Sequence, residues 1–230
     1  MKLEFLTIKK RTILFVLTAV ILLFSVIGAC FVIQVSSPKP EYTIVIDAGH
    51  GGRDGGAVGK LTGVTESQLN LDFSLKLKDI CEDYGFNVVL TRKDMNGLYS
   101  AFATNKKKSE MLKRKEIIES SNADLVVSIH MNSTSVSSAR GAQVFYAENS
   151  LQGEELASSV QDALHDEIAY AKALAKVGDF YVLNCTEKPS ILVECGFLSN
   201  AEEEKLLMES EYQNKFCYTL FYGILTYFDM

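Results

Sequence analysis

The 230-residue chain is expected to be an α/β protein: a single three-layer domain with a mostly parallel twisted sheet flanked by helices, preceded by one transmembrane helix. Three observations predict this. Short runs of Val, Ile and Leu alternate with longer segments of helical periodicity, the order expected of βαβ units. Two of the runs, Ile44-Val45-Ile46 and Leu125-Val126-Val127, are continuously apolar, as strands covered on both faces should be. Residues Thr12 to Val35 contain no charge over 24 positions, of which 19 are apolar.

That apolar run sets the domain organisation. As a helix it reaches about 36 Å, enough to cross a hydrocarbon core of about 30 Å. Lys2, Lys9, Lys10 and Arg11 precede it against the single Glu4, and a basic flank stays in the cytoplasm. The expected organisation is a cytoplasmic basic head over 1–11, a transmembrane signal anchor over 12–35, a linker over 36–41 with Pro38 and Pro40, and one catalytic domain over 42–230. A cleaved signal peptide is the competing reading, but the run is long for one and lacks an A-x-A-like site. Lipidation at Cys30, after Ile27-Gly28-Ala29, competes too, although the apolar run continues past that cysteine.

Within the domain the pattern predicts strands over 43–47, 86–91, 125–130, 142–146 and 191–194. Helices are expected over 66–84, near 110–120, over 154–175 and from about 211 onward. Thr65 and Gln68 form a capping-box pattern at the start of the first helix. Leu69, Phe73, Leu77, Ile80 and Tyr84 then recur every three or four residues, giving one core-facing stripe, while Lys76, Asp79 and Asp83 face water. Tyr212, Phe216, Leu220 and Ile224 form a similar stripe in the last helix.

Composition narrows the function classes. The chain is 47% apolar and 23% charged with a net charge of −6, which excludes a disordered or collagen-like chain. Subtracting the basic head's +3 leaves about −9 outside the membrane, and such a face repels nucleic acid and anionic headgroups. Cys81, Cys185, Cys195 and Cys217 form neither C-x-x-C nor zinc-ribbon spacing, so they are expected to be buried small residues. Their disulfide state and the oligomeric state cannot be read from sequence.

The chemistry is expected at the carboxyl ends of the parallel strands, where ligands collect in sheets of this kind. His50 follows the first strand through a glycine turn, His130 ends the 125–130 strand, and Glu194 ends Ile191-Leu192-Val193. Glu66 begins the helix that starts at the same edge. Two imidazoles and a carboxylate with one position left for water form the ligand set of a catalytic zinc site, and Glu194 would then be the general base. Each residue also has a plainer reading. Glu66 complements a helix dipole, either histidine can simply bond a loop, and His165, among Asp162, Asp166 and Glu167, is a solvated residue. Glu194 is harder to explain away, because a carboxylate at the end of a core strand is costly unless partnered or used. The loop Gly49-His50-Gly51-Gly52-Arg53-Asp54-Gly55-Gly56 fits neither nucleotide motif, since both registers require glycine at Asp54.

These residues resemble a known family, the zinc-dependent N-acetylmuramoyl-L-alanine amidases that cut peptidoglycan. Ile46-Asp47-Ala48-Gly49-His50-Gly51-Gly52 is similar to the first metal motif, Thr65-Glu66-Ser67 to the second, and Ser128-Ile129-His130-Met131-Asn132-Ser133 to the third. Val193-Glu194-Cys195-Gly196-Phe197-Leu198-Ser199-Asn200 is similar to the catalytic motif. The resemblance implies Zn²⁺ held by His50, Glu66 and His130, a catalytic role for Glu194, and a peptidoglycan substrate. Arg92 and Arg114 fall where the family often carries arginine. The stretch from Lys93 to Lys108, with its Lys106-Lys107-Lys108 run, departs from common members and is expected to be a solvated loop. An anchor followed by one short catalytic domain resembles the subgroup acting on spore cortex, where cleavage prepares the muramic lactam used in germination. That subgroup implies a site at the forespore envelope. A vegetative cell-wall amidase of the same chemistry is the alternative. The sequence leaves open the stem-peptide preference and whether zinc binding requires an activating partner protein. Two other readings remain: cysteine catalysis by Cys195 or Cys185, and a tethered, non-catalytic peptidoglycan-binding module.

Overall fold

A computed structural model describes residues 15–24 and 42–230, which fall in two compact units, Met1–Lys39 and Pro40–Met230. In the first, residues 15–24 form helix α1, with every side chain exposed. The rest of the transmembrane helix expected over 12–35, and the head and linker, lie outside the described residues. No helix among the described residues is long and apolar enough to cross a membrane.

The second unit contains strands β1 (Thr43–Ala48), β2 (Asn87–Leu90), β3 (Leu125–Asn132), β4 (Gln143–Tyr146), β5 (Lys176–Val177) and β6 (Ser190–Phe197). Its helices are α2 (Glu66–Asp83), α3 (Lys106–Ser120), α4 (Leu151–Glu167), α5 (Tyr181–Asn184), α6 (Ala201–Met208) and α7 (Ser210–Tyr227). The sheet order is β2-β1-β3-β6-β4-β5. The first four strands are parallel, whereas β4 pairs antiparallel with β6 and β5 follows β4 in parallel. The sheet is therefore mixed, with four of its five pairings parallel and the β4–β6 pairing antiparallel. A parallel crossover requires a dozen or more residues; the link between β3 and β4 is shorter and contains no helix, so β4 returns in the opposite direction.

Strand alternation sends successive side chains to opposite faces, and the core divides accordingly. Ile44, Ile46, Leu125, Val127, Ile191 and Val193 pack with Leu69, Phe73 and Leu77 of α2, Leu156 and Val160 of α4, and Phe216 and Leu220 of α7. On the other face Val45, Val126 and Leu192 pack with Ile118 of α3 and Val182 and Leu183 of α5. One face is thus covered by the three long helices α2, α4 and α7 and the other by α3 and the short α5, and this thinner cover lies over the side that carries Asp47, Ser128, His130 and Glu194.

Several boundaries differ from the sequence pattern for identifiable reasons. Thr65 caps α2 by accepting from Gln68 N, but the Gln68 amide donates to Asp72 Oδ1 at 2.8 Å, so only half of the capping box forms. Tyr84, expected in the buried stripe, is 56% exposed at the helix end, tilted against Phe221. The expected 154–175 helix ends at Glu167: Ile168 turns extended and buries its side chain, Tyr170 takes φ 64°, and Lys172 N donates to Ala142 O. Tertiary pairing overrides helical propensity there. α3 begins at Lys106, where the lysine run was expected to be a solvated loop. Asn105 caps it by accepting from Lys108 N at 2.9 Å.

Candidate active site

The site lies at the carboxyl end of β1, β3 and β6, on the face covered by α3 and α5. Residues 47, 128, 130 and 194 share the parity of Val45, Val126 and Leu192, so their side chains leave the sheet on that face. β3 and β6 pair His130 with Glu194 directly, and β1 and β3 pair Asp47 with Ser128. Glu66 arrives from the first turn of α2, and His50 from the turn after β1.

The structure brings the three expected ligands together. His50 Nε2 lies 3.0 Å and His130 Nδ1 2.9 Å from Glu66 Oε1, and one ligand atom from each residue lies within 4.8 Å of the others. Glu66 is almost fully buried; its Oε2 accepts from Ala57 N at 2.8 Å, and Asn70 Nδ2 approaches Oε1 at 3.4 Å. Two glycines make this convergence possible. A Cβ on Gly49 would sit 2.3 Å from the His130 ring, and one on Gly56, whose φ is +67°, would sit 2.4 Å from Glu66 Oε2. His50 itself takes φ 59°, a conformation that a residue with a side chain holds only when its surroundings enforce it.

Those surroundings are a buried polar network. Arg114 forms an ion pair with Asp47, and its Nη1 also donates to Ala48 O at 2.9 Å. Its Nη2 donates to His50 O at 2.6 Å and to Glu110 Oε1 at 2.8 Å. Asp47 also accepts from Thr91 Oγ1 and Ser128 Oγ, both at 2.7 Å. Arg92 donates to Ala48 O, Gly49 O and Ser67 O at 2.9, 2.9 and 2.7 Å. The guanidinium groups thereby hold the backbone on both sides of His50 and tie it to the start of α2. Arg92 and Arg114 were legible in the sequence; Asp47, Asn70 and Glu110 were not.

Electrostatics sort the carboxylates. Burial opposes ionisation of Glu66, but its bonds to His130 and His50 prevail and hold it well below the usual carboxylate range. Burial likewise lowers His50, yet Glu66 and Asp54 outweigh it and raise the imidazole to about 9. Glu194 goes the other way. Its Oε2 is buried with no hydrogen-bond partner, and burial raises the carboxyl to about 7, against the pull of His130. Two imidazole nitrogens and a carboxylate oxygen gathered this closely form a suitable donor set for a divalent transition metal. Glu194, paired with His130 across β3 and β6, lies beside them. All four residues, with Asp47 and Arg114, line a cleft of about 520 Å³ between α3 and α5.

The cysteine alternative does not fit. Among the described residues Cys81, Cys185, Cys195 and Cys217 are free and buried. Cys195 packs on the face opposite Glu194, and burial pushes its thiol well above the ordinary value and that of Cys185 up to about 11. A nucleophilic cysteine requires the reverse shift. His165 is exposed on α4, with Nδ1 3.2 Å from Ala171 O, and takes no part in the site.

Comparison with known proteins places this geometry in context. Residues 44–226 match the model of a family described as N-acetylmuramoyl-L-alanine amidase. The germination-specific N-acetylmuramoyl-L-alanine amidase of Bacillus subtilis is 33% identical over 197 residues, covering 84% of this chain and 82% of that protein. The CwlD amidase from Clostridioides difficile, solved in complex with the GerS lipoprotein, superposes with a TM-score of 0.78 at 38% identity, covering 82% of this chain and 99% of that one. The catalytic domain of CwlV, an N-acetylmuramoyl-L-alanine amidase from Bacillus (Paenibacillus) polymyxa, gives 0.73 at 32% identity, covering 82% and 98%.

Proposed function

Because the chain belongs to the N-acetylmuramoyl-L-alanine amidase family, we propose that it hydrolyses the amide between muramic acid and L-alanine in spore-cortex peptidoglycan, with zinc held by His50, Glu66 and His130. Such cleavage prepares the muramic lactam used in germination. One observation carries the site assignment: three donor atoms meet within 4.8 Å beside a buried, unpartnered Glu194 oxygen. The cortex assignment is supported by the likeness to the germination-specific enzyme and to CwlD.

Zinc bound there would acidify water and polarise the substrate carbonyl. Glu194 takes the proton of the attacking water and returns it to the alanine nitrogen as the amide bond breaks. Burial raises its pKa, which makes the carboxylate a stronger base toward the water. Arg114 and Arg92 position the site by fixing the carbonyls of residues 48–50. None of the described cysteines is needed as a nucleophile.

The catalytic domain is proposed to lie outside the cytoplasm at the forespore envelope, tethered by the apolar run over 12–35 with its basic flank inside. The complex of CwlD with a lipoprotein supports an activating partner protein for this chain as well. Mass spectrometry of cortex peptidoglycan digested with the purified chain tests the function. The expected products are free stem peptides that begin with L-alanine and glycan strands without peptides, and a zinc chelator should abolish both. Cleavage at another bond, or cleavage unaffected by the chelator, would refute it.

A further inference from the structure

The lysine run at residues 106–108 is not explained by the fold. Positive charge in a first helical turn opposes the helix dipole, so α3 gains no stability from it. Lys106 Nζ is over the Tyr99 ring, 5.0 Å from its centroid. Lys107 is placed differently. It precedes Glu110, Met111 and Arg114 by three, four and seven positions, a spacing that puts all four on one side of a helix, and all four line the catalytic cleft. Glu110 and Arg114 are buried, whereas Lys107 is exposed, so it stands at the cleft mouth.

The cleft also determines what that ammonium can bind. Arg114, the other cation lining it, is consumed by Asp47, Glu110 and two carbonyls. No hydrogen bond or ion pair engages Lys107 Nζ among the described residues. Asp54, the acid on the same side of the cleft, is already engaged by His50 Nδ1 at 3.0 Å. The site therefore keeps one uncommitted positive charge beside an otherwise acidic centre.

We propose that Lys107 is a specificity residue that binds the free carboxylate of the D-glutamyl residue following L-alanine in the stem peptide. This rests on the amidase reading. That residue is next along the peptide from the scissile amide, at about 3.5 Å per extended residue, and Lys107 lines the same cleft as His50, Glu66, His130 and Glu194.

The test compares muramoyl-L-alanyl-D-glutamate with its D-isoglutamine counterpart, each with the γ-carboxyl blocked as a methylamide, so that the two differ only in a free α-carboxylate against a carboxamide. With the zinc-loaded full chain, kcat/KM is expected to favour the acid about fivefold, the scale of a partly exposed ion pair, and less at high salt. Lys107→Ala should bring the ratio to about one, Lys107→Glu should invert it, and Lys107→Arg should restore it. A ratio that Lys107→Ala leaves unchanged would overturn the proposal. Calorimetric binding of both compounds to Glu194→Gln and to its Lys107→Ala double variant reads the same ratio without turnover. Failure of the amidase reading, seen as no cleavage of either compound, is therefore distinguishable from failure of this one.

Discussion

At Glu194, burial without a hydrogen-bond partner leaves a carboxylate that ionises only near pH 7. General-base catalysis is worth about 10² to 10⁴ in rate, so Glu194→Gln should lower kcat by that factor while binding one zinc ion per chain, measured by elemental analysis. The base is active when deprotonated. Its raised pKa therefore gives kcat/KM an acid limb that rises with pH and has its midpoint between the ordinary 4.5 and about 7; bound zinc pulls that midpoint toward the lower end. A pH profile that is flat from 4.5 to 7 would remove Glu194 from this role. In the sequence His130 and Glu194 stand out as polar groups ending apolar strands, Glu66 as the start of a helix and His50 as part of a glycine turn after a strand. The partners of Asp47 do not, since Arg114 lies 67 residues further along the chain and only the fold brings them together.

At the scale of elements, the turn after β1 is the most constrained segment. Gly49 lies against the His130 ring, where an added Cβ would sit at 2.3 Å. Gly49→Ala should therefore displace that ring and weaken zinc binding at least tenfold, a loss of the size seen when the supports of a metal ligand are removed, measured by competition with a chelator. Arg114 joins α3 to β1. Arg114→Met strands a buried Asp47 and is expected to destabilise the fold by about 3–5 kcal/mol in urea unfolding, whereas replacing both residues with apolar ones should recover part of that loss. Strand interiors were easily read from their apolar runs. Helix ends were not: α4 stops where Ile168 finds a core position, and α6 depends on the cap made by Asn200, which accepts from Glu202 N and Glu203 N. That cap with three glutamates behind it was the available signal for α6.

For the whole molecule, the parallel half of the sheet follows from its long crossovers, and the antiparallel edge follows from the short link before β4. This arrangement puts the polar ends of β1, β3 and β6 side by side and leaves the cleft between α3 and α5 open above them. The family, the α/β architecture and the convergence of His50, Glu66 and His130 were therefore accessible from sequence, whereas the antiparallel edge of the sheet and the network around the site required coordinates. The central claim is that His50, Glu66 and His130 grip one zinc ion. X-ray absorption at the zinc edge of the purified chain tests it most directly. The expected spectrum shows nitrogen and oxygen scatterers alone at about 2.0–2.2 Å, with two imidazole signatures. Sulfur scattering at about 2.3 Å, or an active chain that contains no zinc, would contradict the account.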